Sequence, residues 1–265
     1  MPRRSWYSIL GLVLAATVHR SASGQPRSIP ADSALAGITA RGRLLAELDG
    51  ASWQATDALQ ALTTDLRELN VSVAVRDSIG QWAVHFGRLS TSRDTFLIIF
   101  TAEPGADGRH YEARRLATPV VSGDRERLLA TAILAAIKDF GPPNRPYNSY
   151  ALPADDSGVW VYLVPAQTDA RVYPHGGDVR YHLGTNGTRI QDKHRFHRSI
   201  LEFPAPVDSV VAEMHTSFDV VPADTDVLYV LLRRPQKPEI IVTEKFLFEI
   251  AENGSITWRP MGANP

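Results

Sequence analysis

Residues 122–146 read SGDRERLLATAILAAIKDFGPPNRP, and this stretch divides the chain. Leu128, Leu129, Ala132, Ile133, Ala136, Ile137 and Phe140 recur at helical spacing, an amphipathic stripe broad enough to cover a sheet. Asp124 and Glu126 in the first turn and Lys138 in the last agree with the helix dipole. The run Gly141-Pro142-Pro143 then stops the helix, because proline has no N–H to donate and clashes with the preceding turn. Helical and meander signals precede this break, and almost pure strand signal follows it. The pattern predicts an α+β fold with an N-terminal half at 25–141 and a β-rich half at 142–265, which can pack as one continuous domain.

Working back from the break, residues 95–101 (TFLIIFT) are apolar throughout, as in a central strand covered on both faces. Residues 81–88 (QWAVHFGR) alternate, with Trp82, Val84 and Phe86 on one face and Ala83 and His85 on the other. A turn at 105–108 leads to a third strand at 109–117, which completes an antiparallel meander. His85 and His110 fall on these strands as ordinary, partly exposed side chains. Residues 38–69 predict two helices. Leu44, Leu45 and Leu48 lie on the first, which stops at Asp49-Gly50; Ser52 caps the second, which carries Leu59, Leu62, Leu66 and Leu69.

Residues 1–24 have the form of a secretory signal peptide: Arg3 and Arg4, an apolar block at 9–18, and small residues at 21–24. That block is shorter than the roughly 20 residues a bilayer requires, so the expectation is a secreted or periplasmic protein with no membrane span after cleavage. Losing Arg3, Arg4 and Arg20 leaves 25 basic against 29 acidic residues, near −4, which offers nothing to nucleic acid. The chain contains no cysteine, which excludes disulfides, thiolate metal sites and a cysteine nucleophile.

Beyond the break, hairpins are expected at 147–152 with 159–165 and at 178–184 with 188–196, the second turned by Asn186-Gly187. Further strands are expected at 207–218 and 227–232. One long strand follows at 239–251, with Ile240, Val242, Phe246, Phe248 and Ile250 on one face; Asn253-Gly254 turns it into 255–258.

Residues 174–199 hold four of the eight histidines. A two-residue turn at Asn186-Gly187 would pair His182 with Gln191 and Val179 with His194, sending His182 and His194 to opposite faces. His182 and His197 would share a face but lie roughly 20 Å apart at strand rise, so this hairpin cannot hold a metal ion by itself. The same register puts His182, Lys193, Arg195 and His197 on one basic face, a candidate for an anionic ligand.

The other candidate is Glu213-Met214-His215-Thr216-Ser217 followed by Pro222-Ala223-Asp224-Thr225-Asp226. Over about a dozen residues it resembles the JAMM metalloprotease signature, in which a His-x-His pair and a later Asp hold zinc while an upstream glutamate activates water. Ser217 stands where the second histidine belongs, and Asp226 comes two residues early. The resemblance implies His215 and Asp226 as ligands and Glu213 or Glu202 as base. No Gly-x-Ser-x-Gly elbow, His-Glu-x-x-His or phosphate-binding glycine loop occurs.

Two functions therefore stand as expectations. The first is a non-enzymatic exported module, with no cofactor, that binds a protein or small ligand through its second half. The alternative is a zinc-dependent hydrolase using His215 with a hairpin histidine, His194 as the paired metal ligand or else His197. It requires one of those two within about 5 Å of His215 and a carboxylate, at a pocket.

Overall fold

The structure is a computed structural model that describes residues 29–108, 110–204 and 210–262. The stretch read as a signal peptide, and part of the strand expected at 207–218, lie outside the described residues. The fold is α+β. Helix α1 (Asp32–Leu62) leads into β1 (Val71–Arg76), β2 (Trp82–Leu89), β3 (Phe96–Pro104) and β4 (Tyr111–Val121), an antiparallel sheet in chain order. Helix α2 (Asp124–Phe140) follows. Then come β5 (Tyr147–Pro153), β6 (Val159–Pro165), β7 (Val172–Gly176), β8 (Val179–Leu183), β9 (Ile190–Arg195) and β10 (Ile200–Pro204). Of these, β5-β6-β8-β9 form a second antiparallel sheet, while β7 pairs only with β10. Strand β11 (Glu213–Thr216), helix α3 (Asp224–Leu232) and β12 (Glu239–Val242), β13 (Phe246–Ile250) and β14 (Ile256–Pro260) complete the chain, with β11 parallel to β12.

The first two sheets lie side by side between two helices. On one face, Leu129 and Ile133 of α2 pack against Val71 and Val73 of β1 and against Ala151 and Val161 of the second sheet. On the other face, Ala55 and Leu59 of α1 meet Val84 and Phe86, and one turn pair earlier Leu45 and Leu48 meet Tyr150 and Leu152. A fully buried leucine such as Leu45 contributes about 1.5–3 kcal/mol to this arrangement. The first turns of α1, through Leu35 and Ile38, reach Val227 and Val230 of α3 and Phe248 of β13. Gly42 makes that helix crossing possible, since a Cβ there would lie 2.4 Å from the Cβ of Val227.

Four expectations are corrected. Helix α1 is continuous through Asp49-Gly50, because one glycine costs a helix only about 1 kcal/mol and the packing on both sides outweighs it, and it ends at Leu62, so Leu66 and Leu69 lie beyond the helix expected to carry them. Residues 227–232 are helical rather than extended. Asp226 accepts the Ala223 N–H at 2.7 Å to cap the first turn, and α3 is buried nearly all round, so no polar stripe betrays its period. The long strand at 239–251 is a hairpin broken after Val242. The Thr243 hydroxyl accepts the Phe246 N–H at 3.0 Å, and the change of parity puts Ile241, not Ile240, in line with the buried Phe246 and Phe248.

The fourth correction concerns the histidine hairpin. The Gly184 N–H donates to the Arg189 carbonyl at 2.9 Å, so the loop has four residues, 185–188, with Gly187 at φ +69. A bulge between His182 and Leu183 then shifts the register by one: His182 faces Asp192, Arg180 faces His194 and Val179 faces Arg195. A one-residue slip exchanges faces. His182 and His194 therefore share a side, and Lys193 and Arg195 lie on the other, against α2.

Candidate metal centre

Four short segments converge beside this hairpin. Strand β7 brings His175, the bend after β9 brings His197, β11 brings His215, and the first turn of α3 brings Asp226. Gly176 lets the first two approach, because a Cβ there would stand 2.3 Å from the Ser199 carbonyl oxygen. One potential ligand atom from each of the four residues lies within 4.8 Å of all the others.

The arrangement has the form of a coordination shell. The Nε2 atoms of His175, His197 and His215 lie 3.1, 3.2 and 3.7 Å from the same oxygen, Asp226 Oδ1. The edge of a tetrahedron with 2.0 Å bonds is about 3.3 Å, so these distances suit a zinc-sized ion at the centre. His215 Nε2 is buried and has no hydrogen-bond partner among the described residues, as expected of a nitrogen whose lone pair awaits a metal.

Outer carboxylates orient two of the rings. His197 Nδ1 lies 2.7 Å from Asp178 Oδ1, and His215 Nδ1 lies 2.9 Å from Glu239 Oε1. Asp178 accepts a second hydrogen bond from the Thr225 hydroxyl. Glu239 is paired with Arg233 at 2.9 Å, and Arg233 also contacts Glu213, which Tyr229 hydroxyl reaches at 3.3 Å. His175 stacks on the Tyr229 ring with centroids 4.0 Å apart. Carboxylate–histidine–metal relays of this kind fix the tautomer and raise the basicity of the ligating nitrogen.

Charge tells the same story. Glu213 and Glu239 share one arginine, Arg233, while among the described residues Asp178 and Asp226 form ion pairs only with the histidines, and three of these four carboxylates are almost wholly buried. Such an excess of buried negative charge requires cations. Without an ion, a proton supplies one: burial disfavours charge on His197, but hydrogen bonds to Asp178 and Asp226 outweigh it and hold the imidazolium to a pKa of about 11. Burial likewise pushes Asp226 up, and hydrogen bonds from His175 and His197 more than reverse this, keeping it below the ordinary carboxylate range.

No protein-family model, curated protein or solved structure matches this chain.

Of the sequence candidates, His197, His215 and Asp226 are brought together. His194 is not: it pairs with Asp219 at 2.9 Å. Glu213 is taken up by Arg233 and Tyr229, and Glu202 by Arg145 at 3.0 Å, so neither stands over the cluster as a base. The expected basic face is divided. His182 pairs with Asp156 at 3.1 Å and stacks on Trp160, whereas Lys193 reaches Asp139 at 2.6 Å and Arg195 covers Phe140. Sequence reasoning missed His175 as a ligand and Asp178 and Glu239 as its neighbours' supports. The one available signal was a lone carboxylate heading an otherwise apolar strand, as Glu239 does before Ile240-Ile241-Val242.

Proposed function

We propose that the protein is an exported, non-enzymatic metalloprotein that holds one divalent transition-metal ion, zinc in the first instance, on His175, His197, His215 and Asp226. The observation that carries this reading is the convergence of three Nε2 atoms on one buried carboxylate oxygen. Imidazole suits zinc and its neighbours, and four protein ligands fill a tetrahedral shell, which is the mark of structural rather than catalytic zinc.

The hydrolase alternative needs an open coordination position facing a pocket. The large cavity nearby is bordered by His175 and Asp178 but not by His197, His215 or Asp226, which favours the closed reading. The ion would then serve the fold. Its ligands sit on a two-stranded ladder, a bend, a four-residue strand and a nine-residue helix, none of which is stable alone.

Metal analysis of the purified protein tests the proposal. The expected content is about one zinc per chain, lost in His197→Ala and His215→Gln, with chelation lowering Tm. A protein that takes up no zinc on dialysis, and whose melting ignores added metal and chelator, would sink it.

A further inference from the structure

The two central sheets stop short of each other. Among the described residues, strand β1 pairs only with β2, and β5 only with β6, yet the two lie side by side and approach within 8 Å. Two strands that shared a ladder would sit about 4.8 Å apart. Each therefore turns an unladdered row of backbone N–H and C=O groups toward the other, an edge that proteins ordinarily cover.

A cavity of about 730 Å³ occupies this seam. Its long sides are Ser72, Val73 and Ala74 of β1 and Asn148, Ser149 and Tyr150 of β5. Leu129 and Ile133 of α2 form an apolar floor. The α1 side is polar, with Ser52 and Thr56, and carries Trp53, an indole left 65% exposed at the mouth. The volume falls in the usual range for ligand sites.

We propose that this seam is a binding site for an extended peptide segment, which enters as an extra strand between β1 and β5. Its successive N–H groups would point alternately at the two edges, so both rows of backbone groups are satisfied at once. The apolar floor and polar roof call for alternating apolar and polar side chains. The six residues of β1 set a partner length of about 20 Å, or six residues, at strand rise. An inserted strand needs about 9.6 Å between its neighbours, more than the separation at the narrow end of the seam, so the seam must widen there to admit it. The inference rests on the two strand edges and not on the metal ion, although the far end of the same cavity reaches His175.

The probe is acetyl-Thr-Val-Thr-Val-Thr-Val-amide, titrated into the full chain while Trp53 fluorescence and backbone amide NMR shifts are followed. Saturable binding with shifts in both β1 and β5 is expected. Methylating the amides of the three valines removes the donors on one side of the strand, and methylating those of the threonines removes the other. Each should weaken binding tenfold or more. Asn148→Trp, at an exposed site that does not endanger the core, should block entry. No saturable binding, binding indifferent to both methylations, or loss with one set alone would overturn insertion; the last outcome would mean docking on a single edge.

Discussion

His215 donates through Nδ1 to Glu239 across 2.9 Å, and both side chains are buried. The hydrogen bond fixes which nitrogen carries the proton and turns Nε2 toward Asp226. Exchanging Glu239 for Gln keeps the shape and removes the charge, so zinc affinity should fall 10–100-fold. Competition with a chromogenic chelator measures it; unchanged affinity would show that Glu239 does not tune the ligand.

Zinc binding should expel a proton. His197 is held protonated to about pH 11 by Asp178 and Asp226 against the effect of burial, and an imidazolium cannot ligate. At pH 7 about one proton should appear per ion bound, read by calorimetry in buffers of differing ionisation enthalpy. The same shift sets the stability of the ion-free chain. A histidine whose pKa rises on folding contributes fully below its unfolded value near 6.5, and that contribution is lost as pH climbs toward about 11. Urea melts of chelated protein between pH 6 and 10 should therefore show falling stability, and His197→Asn should flatten that slope.

Arg233 is wholly buried between Glu213 and Glu239. Replacing it with Met leaves two carboxylates without their partner and should cost about 3–5 kcal/mol in denaturant unfolding. Adding Glu239→Gln to that variant should recover part of the loss, since neighbours in one network are not additive. Full additivity would mean that the pair does not interact.

Gly42→Val tests the α1–α3 crossing. The new side chain overlaps Val227 and the Asp224 carbonyl, and overpacking of this kind costs about 1–3 kcal/mol or more. Because Asp226 lies in the same first turn of α3, zinc affinity should fall along with Tm.

His85 makes the opposite pH prediction. Burial on β2 lowers its pKa, with Glu126 4.0 Å away only partly offsetting this. A histidine that prefers to be neutral when folded stabilises above about pH 6.5, and that contribution erodes as the solution is acidified. His85→Gln should remove this component of the acid slope in chelated protein.

The elements with strong local signals were legible in the sequence. The stripe from Leu128 to Phe140 is a helix, and the meander before it is a meander. What failed were cases in which surroundings override local pattern. Gly50 sits inside a helix because the core on either side holds it there. Residues 227–232 form a helix so thoroughly buried that their pattern carries no period.

The candidate site divides in the same way. His197, His215 and Asp226 stand out in the sequence as residue types able to bind metal, and geometry forbids the hairpin alone to do so. Their union with His175, which lies 51 residues from Asp226 in the chain, was decided by tertiary structure alone. A single bulge beside His182 reversed the faces of the hairpin, His194 was taken up by Asp219, and the bend beyond Arg195 delivered His197. Sequence specifies ligands by their chemistry, but a coordination shell is a set of distances across chain separations that no local periodicity encodes.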